Sequence, residues 1–175
     1  MSPLELLKHK IVDLNQLQQL RSDWKEHGLK VVFTNGVFDL LHLGHVDYLA
    51  KTAHCGDRLI IALNSDASVK TLSKGPARPI KDEITRAHLL AAFSFVDAVL
   101  IFGEPTPKEV VHVLTPDVLV KGGDYDAQET DSTKKKYIVG SDWVKKHGGK
   151  VEVIPFVPGH STTALEQKII DAYNQ

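Results

Sequence analysis

The sequence predicts an α/β protein with a single Rossmann-like domain, a doubly wound parallel sheet of five strands. Three observations predict it. Short runs that are apolar throughout recur along the chain, as strands buried on both faces do. Segments with helical spacing of apolar residues separate them. The length of 175 residues, with 42% hydrophobic and 25% charged residues, suits one domain with a full core.

Taken in order, residues 1–27 read as a helical lead-in. Asp13 caps a helix in which Leu14, Leu17 and Leu20 recur at helical spacing, and Gly28 ends it. From residue 28 to 175 strands and helices alternate. Lys30 to Thr34 is the first strand, broken by the turn signal Asn35-Gly36. A helix from about Gly44 to His54 shows Val46, Leu49, Ala50 and Ala53 on one face. Arg58 to Leu63 is the second strand, and Asp66 starts a short helix. Lys74 to Ile80 is a Gly/Pro loop, after which Asp82 caps a helix carrying Ile84, Ala87, Leu90 and Ala91. Ala98 to Phe102 is the third strand, and Thr106-Pro107 opens a helix with proline in its first turn. Val118 to Val120 and Val151 to Ile154 are the fourth and fifth strands. A last helix runs from about Thr162 to Tyr173. Tyr125 to Tyr137, rich in charge, reads as a solvated loop.

The formal charge of −1 lacks the basic footprint of a nucleic-acid binder. Cys55 is the only cysteine, so neither an intramolecular disulfide nor a cysteine-rich metal site is expected. No basic segment followed by an apolar run opens the chain, and no apolar stretch approaches the ~20 residues of a membrane span. The expectation is a cytoplasmic protein without membrane or nucleic-acid partners.

In doubly wound sheets ligands bind beyond the carboxyl ends of the strands. After the first strand stands Thr34-Asn35-Gly36-Val37-Phe38-Asp39-Leu40-Leu41-His42-Leu43-Gly44-His45. Gly44 permits close approach of a ligand or chain segment, and a helix N-terminus favours an anion. His42 and His45 are placed to donate hydrogen bonds to phosphate oxygens. A surface histidine pair or a zinc pair is the competing reading, but no third zinc ligand stands in a recognisable motif. Neither GxGxxG nor GxxxxGK[ST] is present.

Lys70, Lys74, Arg78 and Lys81 make an acid-free cationic segment, suited either to phosphates or to solvent, and Arg86 follows on the next helix. Lys121-Gly122-Gly123-Asp124 follows the fourth strand: a ligand turn, with Asp124 accepting from ribose or base, or a simple turn. Gly159-His160-Ser161-Thr162-Thr163 precedes the last helix, where hydroxyls serve as caps or as a phosphate cradle.

Together, His42-Leu43-Gly44-His45, Asn64-Ser65-Asp66, Lys121 to Tyr125 and Ser161-Thr162-Thr163 resemble the HxGH nucleotidyltransferase superfamily, and within it the adenylyltransferases of D-glycero-β-D-manno-heptose 1-phosphate. The resemblance covers about residues 28–172 and makes 28–175 a nucleotidyltransferase domain. Val37 stands where that family's pattern has cysteine, and the 125–137 loop is longer than usual. The resemblance implies transfer of AMP from ATP to a sugar 1-phosphate for lipopolysaccharide core biosynthesis. It also implies Mg²⁺, no protein-held metal and a homo-oligomer. His42, His45, Lys74 and Arg78 become catalytic candidates. Nucleotide contacts are expected from Thr34, Asn35, Gly36, Val37, Phe38, Asp39, Gly44, the two histidines, Arg86, Lys121, Gly122, Asp124, Ser161, Thr162 and Thr163. The alternatives are a cytidylyltransferase for an alcohol phosphate such as glycerol 3-phosphate, and a non-catalytic nucleotide-binding regulator.

Overall fold

The computed structural model describes residues 2–72 and 77–174. In chain order the elements are α1 (Pro3–Lys10), β1 (Ile11–Val12), α2 (Leu14–Glu26), β2 (Val31–Gly36), α3 (Leu43–Ala53), β3 (Arg58–Asn64), α4 (Asp66–Thr71) and α5 (Glu83–Ala91). They continue as β4 (Ala98–Phe102), α6 (Lys108–Leu114), β5 (Val118–Gly122), α7 (Ser141–Lys146), β6 (Lys150–Ile154) and α8 (Thr162–Tyr173). The strands form one parallel sheet in the order β1-β4-β3-β2-β5-β6.

Six strands stand where five are expected. The additional one is β1, two residues paired with Val99 and Leu100 of β4. Two residues are too few to show a periodicity, so only the pairing reveals it. The lead-in thereby joins the sheet, and Leu17 of α2 is wholly buried in the core. Asp13 caps α2 as expected, its carboxylate accepting from the N–H of Gln16. The Asn35-Gly36 turn signal is overridden: β2 continues through both residues, opposite Ala62 and Leu63 of β3. Parallel pairing on a central strand outweighs the local preference of two residues. Helix α7 shows no strong apolar period; Val144 buries into the core while its other face stays wet.

Each face of the sheet carries its own core, as the all-apolar strands require. Val31, Phe33, Ile60, Ala62 and Leu119 pack with Leu17, Val111, Leu114, Ile138 and Val144 on one side. Val32, Ile61, Leu63, Val99 and Val120 pack with Leu49, Ala87 and Leu90 on the other. Sequence order reverses about β2: the chain steps outward to β3 and β4, then returns to place β5 on the opposite flank. The crevice of such a fold opens at that switch point, beyond the carboxyl ends of β2 and β5. Among the described residues no helix is long and apolar enough to cross a membrane.

Candidate active site

A cavity of about 500 Å³ opens at the switch point. Its walls include Asn35 to Asp39 at the end of β2 and just beyond it, His45 and Tyr48 of α3, Asn64 at the end of β3, and Lys121 and Gly122 of β5. Arg78, Phe156 and Thr162 complete the lining with Leu72, Pro105 to Pro107, Tyr125, Lys135, Tyr137 and Val139.

The β2–α3 turn is built tightly. Phe38 takes a left-handed backbone (φ 47°), and its ring lies so close to Gly36 that a Cβ there would sit 2.9 Å from it. A non-glycine residue held in that region marks local strain of the kind found at functional sites. His42 and His45 stack with ring centroids 3.9 Å apart, and His45 meets the Phe38 ring edge-on at 5.5 Å. Gly44 makes the stack possible: a Cβ there would lie 3.0 Å from the His42 ring and 3.1 Å from the His160 carbonyl oxygen. His45 lines the cavity and His42 stands one layer behind it. The Nδ1 of His42 is buried with no hydrogen-bond partner among the described residues. Burial, and then the charge of His160, lowers its pKa and favours the neutral imidazole.

Three expected nucleotide contacts are engaged by partners within the protein: Arg86 and Thr34 lie off the cavity, and Asp39 lies in its wall. Arg86 is wholly buried. Its Nε donates to the Lys81 carbonyl, one terminal nitrogen to the Val37 and Asn64 carbonyls, and the other to Asp66 at 2.6 Å. Those bonds close the guanidinium against any phosphate, because a cation buried this deeply is tolerated only when paired and hydrogen-bonded. The Asp39 carboxylate accepts from the N–H groups of Ile80 and Lys81 and from Arg78. Burial alone would raise its pKa, but these donors outweigh burial and hold it below the usual value. Asp39 therefore lies in the wall as the anchor of the 78–81 segment. The Thr34 hydroxyl pairs with the Tyr48 hydroxyl at 2.7 Å inside the core, and Tyr48 donates on to the Val120 carbonyl. Burial pushes the Tyr48 phenol up to about 12. Thr34 thus holds α3 on the sheet and is absent from the cavity wall.

The cationic segment is partly accounted for. Arg78 bridges Asp39 at 3.0 Å and Glu166 of α8 at 2.8 Å. Lys74 lies outside the described residues. Lys121 donates to the Asn35 side chain at 2.6 Å and sits 5.5 Å from the centre of the Tyr125 ring.

The glycines after β5 have a neighbour that the sequence alone did not reveal. The half-exposed ring of Phe156 lies over Gly122 and Gly123, where added Cβ atoms would come within 2.5 and 2.4 Å of it. Asp124 is exposed and outside the cavity wall. Ser161 is the N-cap of α8, accepting from the N–H of Ala164 at 3.0 Å. Of the three hydroxyl residues Thr162 alone lines the cavity; Thr163 is exposed. Phe156, Tyr48, Tyr137 and Lys135 are cavity residues the sequence reading missed. An aromatic just past the last strand was the one available signal, for Phe156. Among the described residues no three His, Cys, Asp or Glu side chains converge to hold a metal ion.

The arrangement is a cleft at a switch point, with two imidazoles packed together, a helix N-terminus at Thr162 and several cations, suited to polyphosphate chemistry. The chain belongs to the cytidylyltransferase-like family, whose model matches residues 33–168. It is 45% identical, over 98% of its length, to the bifunctional protein HldE of Syntrophotalea carbinolica. It is 49% identical, over 95% of its length, to the bifunctional protein HldE of Geobacter metallireducens. The chain spans about a third of the length of these curated relatives: 34% and 32%. A lipopolysaccharide core biosynthesis protein from Thermoplasma volcanium superposes with a TM-score of 0.56 at 28% identity, covering 74% of this chain and 98% of that one. A pantoate-beta-alanine ligase from Francisella tularensis, TM-score 0.57 at 16% identity, covering 94% of this chain and 79% of that one, shares the fold.

Proposed function

We propose that the chain transfers AMP from ATP to D-glycero-β-D-manno-heptose 1-phosphate, giving ADP-heptose and pyrophosphate for lipopolysaccharide core assembly. The observation that carries this is the His42–His45 pair, His45 in the wall of the switch-point cavity and His42 packed behind it, within a chain 45–49% identical to bifunctional HldE proteins along nearly its whole length. The solved lipopolysaccharide core biosynthesis protein supports the same setting.

The acceptor phosphate is already an anionic nucleophile, so no strong general base is required. One of its oxygens attacks the α-phosphorus of ATP as the bond from that phosphorus to the bridging oxygen of the β-phosphate breaks, and pyrophosphate leaves with the electron pair. Catalysis reduces to in-line positioning and to stabilising charge on the α-phosphate and the leaving group. His45 donates to the phosphates from the wall, and His42 backs it from the second layer. Thr162 and the opening N–H groups of α8 receive the β- and γ-phosphates. Arg78 adds charge by exchanging Glu166 for phosphate oxygens. Asn35, Gly36, Val37 and Phe38 lie along the nucleotide, and Lys121 and Gly122 flank it. Mg²⁺ enters on the triphosphate as part of the substrate. A cytoplasmic location follows from ATP as donor. The exposed Ile169, Ile170 and Tyr173 of α8 support a homo-oligomer.

The family description favours a second reading, a cytidylyltransferase acting on an alcohol phosphate. A pyrophosphate-release screen of four nucleoside triphosphates against sugar and alcohol phosphates separates the two. Turnover with ATP and heptose 1-phosphate is expected. A clear preference for CTP with glycerol 3-phosphate would replace the proposal with the second reading.

A further inference from the structure

The 125–137 loop reads from sequence as solvated, yet its carboxyl end is built into the cavity. Ile138 is wholly buried in the core, and the Asp126 N–H donates to the Lys136 carbonyl at 3.0 Å. Between and beside these anchors Lys135, Tyr137 and Val139 all line the cavity. Two consecutive turns, closed by the Tyr137 N–H on the Lys134 carbonyl and the Ser141 N–H on the Ile138 carbonyl, hold this stretch against the cavity. Leu72 and Pro105 to Pro107, which also line the cavity, carry no charge.

The cations of the described wall differ in availability. Arg78 is held by two carboxylates and Lys121 by Asn35. Lys135 is exposed, and its ammonium has no hydrogen-bond or ion-pair partner among the described residues. Tyr137 spends its hydroxyl on Asp142 at 3.0 Å, which fixes the ring and leaves its face as an apolar surface beside Val139.

We infer that Lys135, Tyr137 and Val139 form the acceptor subsite: Lys135 binds the phosphate of the sugar 1-phosphate, and Tyr137 with Val139 carries the apolar face of the sugar ring. This rests on the proposed adenylyl transfer. In-line attack requires the acceptor phosphate to approach from the side opposite the leaving pyrophosphate. With His45 and Thr162 assigned to the phosphates of the nucleotide, Lys135 is the cavity-lining cation that the described residues leave for the acceptor. An ammonium on a phosphate is a charge-assisted contact, and an aromatic face suits the C–H side of a pyranose. The loop sets acceptor choice while the β2–α3 turn and α8 handle the nucleotide.

The test is steady-state kinetics with ATP and D-glycero-β-D-manno-heptose 1-phosphate on wild type, Lys135→Ala, Lys135→Arg and Tyr137→Ala. Lys134→Ala and Lys136→Ala, on neighbouring exposed lysines, serve as controls. Lys135→Ala is expected to raise KM for the sugar phosphate roughly tenfold to a hundredfold while KM for ATP stays within about twofold. Lys135→Arg should recover most of the loss, the controls should match wild type, and Tyr137→Ala should raise KM for the sugar phosphate alone. Thermal melting of each variant shows whether it is folded. An unchanged KM for the sugar phosphate in Lys135→Ala, or an equal rise in both KM values, overturns the subsite while leaving adenylyl transfer standing. A wild-type enzyme that releases no pyrophosphate from this pair overturns the function, and the subsite with it.

Discussion

Two sets of polar residues crowd the carboxyl edge of the sheet, and they differ in what they face. Thr34, Asp39 and Arg86 spend their side chains on partners inside the protein, Asp39 doing so from within the cavity wall. His45, Lys135 and Thr162 face the cavity. The first set is a frame: Arg86 alone ties the β2–α3 turn, the end of β3, the start of α4 and the approach to α5. The second set works on whatever enters. Residue type does not separate them, since each contains a cation and a hydroxyl. Burial does, because a charge removed from water must find its partners in the protein. The comparison predicts that frame substitutions cost stability first and cavity substitutions cost turnover first.

The largest effect is expected from Arg86→Met, which strands three backbone carbonyls and the Asp66 carboxylate. Each buried carbonyl left without a donor costs about 1–3 kcal/mol. Urea denaturation measures it, and a loss below ~1 kcal/mol would remove Arg86 from the frame. His42→Ala and His45→Ala come next, each lowering turnover on the order of 10²–10³ with the unfolding midpoint nearly unchanged. If both variants keep near-normal turnover, the histidines take no part in the chemistry.

Asp39→Asn sharpens the comparison through pH. Its folded pKa lies below the ordinary 3.8, so its ionised form contributes stability that is fully present above 3.8 and is lost as pH falls through the folded value. The variant should be less stable than wild type by about 3 kcal/mol at neutral pH. The gap should close as pH drops below 3.8. A gap independent of pH would mean that the carboxylate charge is not what holds the 78–81 segment.

The smallest effects divide Ser161 from Thr162. Ser161→Ala removes a cap and should cost ~1 kcal/mol of stability, leaving ATP affinity alone. Thr162→Ala should weaken ATP but not AMP, which lacks the β- and γ-phosphates. Calorimetric titration with both nucleotides distinguishes them, and equal weakening of ATP and AMP by Thr162→Ala would reduce it to a second cap.

The alternating sheet, the caps at Asp13 and Asp82 and the placing of chemistry after β2 and β5 were legible because they depend on local pattern. Strand β1 was not, since its two residues carry no period. Neither was the inward turn of Arg86 and Thr34: nothing in their neighbours reports that Val37, Asn64 and Tyr48 converge on them from elsewhere in the chain. Lys135 hid in a charged loop for the opposite reason. Its run of three lysines looks uniformly solvated, and only the folded chain shows that Lys135 lines the cavity while Lys134 and Lys136 do not.

The most direct test of the account is ³¹P NMR of ATP and D-glycero-β-D-manno-heptose 1-phosphate incubated with the protein and Mg²⁺. Transfer of AMP predicts that the sugar phosphate resonance converts into the coupled pair of a sugar-linked diphosphate while pyrophosphate grows in equal amount. Appearance of ADP with a sugar bisphosphate, or an unchanged spectrum alongside turnover of CTP and glycerol 3-phosphate, would contradict it.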